Sequence, residues 1–103
     1  MSVSLSIQAN GALAIVSVRG ALTSQSQGTF KQQLEPVLAN PSISKIKLDF
    51  SGLQSLEAAS SGMLMFFSHA AKSKNKAVGV ANSNSSVLAV MHKANLGKVL
   101  DIL

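Results

Sequence analysis

A chain of 103 residues, 47% hydrophobic and 13% charged, is expected to form a single domain. It can bury about 65% of the surface its unfolded form exposes, and it is too apolar to stay disordered. The absence of cysteine removes disulfides and thiolate metal sites. Nine Lys and Arg against four Asp and Glu leave a formal charge of +5, but nucleic-acid binding is not expected. Trp and Tyr are absent, the four Phe fall at core-like spacings, and Lys72, Lys74 and Lys76 read as a solvated helix end.

The start, Met1-Ser2-Val3-Ser4, lacks the basic and then apolar pattern of a secretory signal. The longest apolar run near the chain centre, Met63–Phe67, is far shorter than the roughly 20 residues a bilayer span needs. The expectation is a cytoplasmic protein without membrane insertion.

Leu5-Ser6-Ile7-Gln8 alternates as a short strand, and Asn10-Gly11 predicts a hairpin turn into a second strand over Ala12–Arg19, ending at Gly20. Ser24 with Gln27 forms a capping-box pattern. Phe30, Leu34, Val37 and Leu38 at helical spacing predict a first helix from about Gln25 to Leu38, with Pro36 bending or shortening it. Asn40-Pro41 closes that segment. Lys45–Phe50 reads as a third strand, with Ile46, Leu48 and Phe50 on one face and Lys45, Lys47 and Asp49 on the other. Ser51-Gly52 is read as a turn.

A second helix is predicted over about Ala59–Ser73, its apolar stripe formed by Met63, Leu64, Phe66, Phe67, Ala70 and Ala71. Ala77–Ala81 predicts a buried strand of small residues, and Asn82–Ser86 a turn with several candidate caps. Val87, Leu88 and Met91 mark a third helix ending near Asn95. Val99–Leu103 is either an edge strand or a last helical turn. The order β-β-α-β-α-β-α-β combines a hairpin with crossovers, which impose parallel neighbours and helices packed on the sheet. The fold class is therefore α/β, a sandwich with a mixed sheet of four to five strands.

The layout resembles the STAS domain over nearly the whole chain. The resemblance rests on Val18-Arg19-Gly20-Ala21-Leu22, Leu48-Asp49-Phe50-Ser51-Gly52-Leu53, Gly62-Met63-Leu64, Val78-Gly79-Val80-Ala81-Asn82, Val87-Leu88 and Asn95-Leu96 in that order and spacing. It implies an anti-sigma factor antagonist, a regulator that binds an anti-sigma kinase without covalent chemistry. An alternative is the small STAS subunit that braces the permease and ATPase of a lipid-transport ABC complex. A lone signalling adaptor in chemotaxis or secretion control is a further, weaker option.

Typical members carry Asp-Ser-Ser/Thr-Gly-Leu-Gly after the third strand, with the Ser that follows the Asp phosphorylated. Aligned without gaps, this chain reads Glu57-Ala58-Ala59-Ser60-Ser61-Gly62. The acid is kept as Glu57, but Ala58 has no oxygen to accept a phosphoryl group. A two-residue slip would make Ser60 the acceptor and delete the acid. The ungapped register is preferred, because a slip needs a compensating deletion in a helix of fixed periodicity. Thr23 also stands where many members have Asp.

The resemblance thus implies a docking edge of Glu57, Ala58, Ala59, Ser60 and Ser61 flanked by Thr23 and Ser24, with Ser60 as a candidate phosphorylation site. A helix N-terminus favours negative charge, yet small hydroxyls there usually only satisfy backbone N–H groups. Met65 is assigned to an interface, whereas Met63, Leu64, Phe66 and Phe67 are assigned to the core.

Catalysis is not expected. His69 and His92 lie off the buried stripes of their helices with no converging nucleophile and acid, and Asp49 reads as a solvent-facing strand residue. No metal-ligand spacing and no phosphate-cradling Gly-rich loop is present, so neither metal nor cofactor is called for. The resemblance implies a further C-terminal helix, and the sequence is expected to stop short of it. Uncovered apolar sheet at Val99–Leu103 therefore suggests a homodimer through that edge.

Overall fold

The computed structural model describes residues 3–102. Met1 and Ser2, in the segment read for a signal, and Leu103, at the end of the terminal apolar run, lie outside the described residues. The elements follow the expected order: β1 (Val3–Asn10), β2 (Leu13–Leu22), α1 (Gln27–Ala39), β3 (Lys45–Leu56), α2 (Ser61–Ser73), β4 (Ala77–Ala81), α3 (Ser85–Lys93) and β5 (Asp101–Ile102). Single 3-10 turns, Ala58–Ser60 and Leu96–Lys98, precede α2 and β5.

The sheet runs β1-β2-β3-β4-β5. The first pair is antiparallel and the remaining pairs are parallel. Crossovers between parallel strands are right-handed, and an unbroken strand order then stacks all three helices on one face. Burial agrees with this: Ala14, Val16 and Val18 of β2 and Ile46, Leu48 and Phe50 of β3 are sealed. Ile15, Ser17, Lys47 and Asp49 on the opposite face are only half-buried. The mixed α/β sandwich expected from the element order is the fold observed.

Several local readings change. Ser51-Gly52 is not a turn, because β3 continues to Leu56. The strand bulges there instead: Ser17 pairs with Asp49 but Arg19 pairs with Gly52, and the register shifts again between Gly20 and Ala21. A Cβ at position 52 would stand 2.7 Å from Cγ of Arg19, so the glycine serves close side-chain approach at a bulge.

The capping box at Ser24 does not form either, and α1 begins at Gln27 with Ser26 in the cap position. The Ser26 hydroxyl is spent on the preceding loop: it accepts from the Thr23 N–H at 2.8 Å and donates to the Ala21 carbonyl at 3.0 Å. Pro36 lies inside α1, which nonetheless continues to Ala39. The third helix stops at Lys93, short of Asn95, whose left-handed φ of 58° turns the chain. The terminal run ends as a strand, with Asp101 and Ile102 paired to Gly79 and Val80.

The lysine cluster divides. Lys76 is only 6% exposed, and its ammonium donates to the carbonyls of Asn40, at 2.8 Å, and Ile43, at 2.7 Å. It ties the loop after α1 to the start of β4 and satisfies carbonyls that would otherwise be buried without partners. Lys72 and Lys74 stay exposed.

Asp49 is also held more firmly than a free strand residue. Its Oδ1 accepts from the Asn82 amide at 3.1 Å and the Ser51 N–H at 3.0 Å. The Asn82 bond is the main reason its carboxyl sits below the usual carboxylate range, followed by a small opposing burial effect and help from Ser51 and Lys47.

Lys76→Met is expected to lower stability by about 2 kcal/mol, roughly 8–16 °C in Tm for a domain of this size, while Lys72→Met leaves Tm within a few degrees. Thermal unfolding followed by circular dichroism checks both. Asn82→Ala is expected to raise the Asp49 pKa toward its ordinary value in an NMR pH titration. Because the folded value is depressed, the stability Asp49 contributes is present above the unfolded pKa. It is lost as pH falls through the folded value, below about 4, and the variant should show a smaller loss there.

Candidate functional site

The end of β3 projects past the end of β4, because pairing with β4 covers only Lys45–Asp49 while pairing with β2 continues to Leu56. Asn84 fills the place of the missing strand. Its amide donates to the carbonyls of Leu53 at 3.1 Å and Gln54 at 3.3 Å, and its Oδ1 accepts from the Val87 N–H at 2.8 Å, capping α3. This residue was one of several undistinguished cap candidates in the sequence.

Beyond the projecting strand the chain turns at once. The Glu57 N–H donates to the Leu22 carbonyl at 2.8 Å, and the Ser60 N–H donates to the Glu57 carbonyl at 2.8 Å, closing the 3-10 turn. The Glu57 carboxylate reaches across to accept from the Ser24 N–H at 3.3 Å. This bond brings the Thr23–Ser24 loop against the turn that starts at Glu57. Ser24, Glu57, Ala58 and Ala59 are exposed and Thr23 is half-buried.

The two serines are placed differently. Ser60 has no exposed surface and its hydroxyl accepts a long bond, 3.4 Å, from the Gln27 side-chain amide. Ser61 is 6% exposed, with its hydroxyl unpartnered among the described residues. Neither side chain caps α2: Ser60 holds the cap position without a side-chain capping bond. Both face inward because the 3-10 turn rotates the chain before α2 begins, a change of helical pitch that hydrophobic spacing does not record.

Along α2 the buried residues are Ser61, Leu64, Phe67, Ser68 and Ala71. This phase corrects the assignment of Phe66 to the core: the ring is 62% exposed, and the Lys31 ammonium lies 5.3 Å from its centroid. Met65, assigned to an interface, is half-buried and packs against the core. Phe67 points inward and meets Phe30 edge-on, with centroids 5.8 Å apart, fastening α1 to α2. His69 and His92 are exposed.

A family model described as "Mlab, STAS domain" matches residues 5–103. The chain belongs to the STAS domain family. Comparison with curated protein sequences gives no match, so the solved structures speak to the fold. SpoIIAA, an anti-sigma factor antagonist, in its unphosphorylated form superposes with a TM-score of 0.80 at 11% identity, covering 97% of this chain and 88% of its own. TM1081 from Thermotoga maritima gives 0.83 at 19% identity over 95% and 84%. An anti-sigma factor antagonist from Mycobacterium paratuberculosis gives 0.78 at 18% identity over 97% and 84%.

Within this STAS domain, the tip of β3 and the turn before α2 form an open edge at Glu57, Ala58 and Ala59 and a closed one at Ser60 and Ser61. Introducing a charge should separate the two. Ala58→Glu is expected to leave Tm within a few degrees. Ser60→Glu should cost more than about 3 kcal/mol, because a carboxylate would be forced into a sealed site. Denaturant unfolding of the two variants compares them directly.

Proposed function

We propose that this STAS domain is a non-covalent protein-docking module of the anti-sigma factor antagonist type, working without a phosphorylation switch. The observation that carries this reading is the split of the tip. The position open to a partner kinase, Ala58, has no hydroxyl, and the nearby hydroxyls of Ser60 and Ser61 are enclosed. A phosphoryl group would bring about −1.5 to −2 charges onto the tip. Here no exposed hydroxyl in the 57–61 turn can carry it. The domain then stays in the binding-competent form, and regulation falls to abundance or competition.

Binding is read at the exposed Glu57, Ala58 and Ala59, flanked by Thr23 and Ser24. Ser60 and Ser61 support the edge from beneath, and Met65 supports α2 rather than touching the partner. The hydrogen bond from the Ser24 N–H to Glu57 holds both sides of this edge in register before any partner arrives, which lowers the ordering cost of docking. The partner is an anti-sigma kinase-like regulator. The chemistry is read as recognition alone.

A second reading is favoured by the same alanine, together with a family description taken from Mlab rather than from an antagonist: a STAS subunit bracing the ATPase and permease of a lipid-transport ABC complex. That role needs no phosphorylation cycle.

Incubation with the candidate kinase and ATP, read by intact mass, is expected to leave this chain unmodified, whereas Ala58→Ser gains one phosphate. A stoichiometric gain by the parent chain would sink the switchless reading. Ala58→Arg should weaken partner capture at least tenfold at unchanged fold. Capture of an anti-sigma kinase supports the first reading, and capture of a transporter ATPase supports the second.

A further inference from the structure

The helical layer carries a second surface, separate from the tip. Because β2 and β3 are parallel, the helices that follow them, α1 and α2, run side by side in the same direction. Their seam opens outward as a cleft of about 560 Å³. Its floor and walls include Phe30, Pro36, Met63, Phe66, Phe67 and Ala70. Phe66 is the most exposed large apolar side chain among the described residues. Exposed apolar surface gathered into a groove, rather than scattered singly, marks a contact site.

Charge states what the cleft would accept. Lys31 stands at its upper end, its ammonium over the Phe66 ring, and Lys74 lines the lower end, where α2 terminates. Glu35, one turn after Lys31, lines the same wall. It sits between the two cations and leaves the cleft with a net positive charge. The cation–π contact pairs Lys31 with Phe66 in the unbound chain, at the upper end of the cleft. From Phe66 to Lys74 the helix rises about 12 Å, which is the span of seven to eight residues of a facing helix.

We infer that the α1–α2 cleft docks an amphipathic, acidic helix of a partner protein. Its apolar stripe fills the seam between Met63, Phe66 and Ala70, and carboxylates about seven or eight residues apart meet Lys31 and Lys74. Helix-in-groove recognition uses anchors at i, i+3 or i+4, and i+7, and this cleft offers that length with a cation near each end. The inference extends the protein-docking reading by giving the chemistry of a second contact, and rests on that reading only in treating the domain as a docking module.

A synthetic helical peptide with leucines at that spacing and glutamates on its flanks tests this on the full chain by NMR. A twin carrying lysines for glutamates and a scrambled isomer of equal charge serve as controls. Shifts centred on Lys31, Met63, Phe66, Ala70 and Lys74 are expected, with affinity at least tenfold above either control. Phe66→Ala should weaken the acidic peptide at least tenfold. If that variant loses its fold by circular dichroism, Lys74→Glu takes its place, expected to weaken the acidic peptide and strengthen the basic twin.

Absence of shifts at 1 mM peptide, as an order-of-magnitude ceiling for specific docking, would overturn the proposal. So would equal binding of the scrambled isomer, indifference to Phe66→Ala or Lys74→Glu, or self-association of the chain that Phe66→Ala abolishes. Ala58→Arg is expected to leave peptide binding unchanged, so failure of the cleft and failure of the tip are read separately.

Discussion

One backbone hydrogen bond, from the Glu57 N–H to the Leu22 carbonyl, determines where the proposed recognition edge lies. It exists because β3 stays paired with β2 beyond the point where β4 has ended. The loop leaving β2 and the turn leaving β3 are thereby brought to the same end of the sheet. The Ser24 N–H can then reach the Glu57 carboxylate. Without the overhang, the Thr23–Ser24 loop and the Glu57–Ala59 turn would be two unrelated surface segments.

The overhang needs its own support, since a strand end with one side unpaired would leave carbonyls without donors. Asn84 supplies them from the far side while starting α3. At the opposite end of the sheet Lys76 does comparable work for Asn40 and Ile43. Polar side chains thus complete the strand and helix ends at both poles, and the core between them is apolar: Phe30, Phe50, Leu64, Met91 and Leu96 are fully enclosed. Such an arrangement ties the strand and helix ends to the loops around them at both poles of the sheet.

The STAS fold is shared by proteins of low sequence identity, and a shared fold does not carry function with it. In this chain the function must be argued from the tip, where alanine stands in the open position and serine in the closed ones. In the proposed reading, the absent hydroxyl at Ala58 leaves this edge without a means of gaining and losing charge. The cleft between α1 and α2 lies on a different face and is built from a different constraint, the side-by-side run of two helices.

Element types and their order were legible from the chain alone, because periodicity of two and of 3.6 residues reports directly which face meets a core. Ile46, Leu48 and Phe50 are buried as their alternation required. That position 58 is an alanine without a hydroxyl was equally legible, while its match to the acceptor position rests on the resemblance. Tertiary structure alone decided the rest. Gly52 looked like a turn because glycine marks turns and bulges alike, and only pairing with Arg19 distinguishes them. Ser60 faces inward and Phe66 outward because a 3-10 turn sets the phase of α2, and an apolar stripe broader than the surface it covers leaves that phase open. Lys76 is buried because two carbonyls from a distant loop meet its ammonium, and no local pattern encodes an encounter between residues more than 30 positions apart.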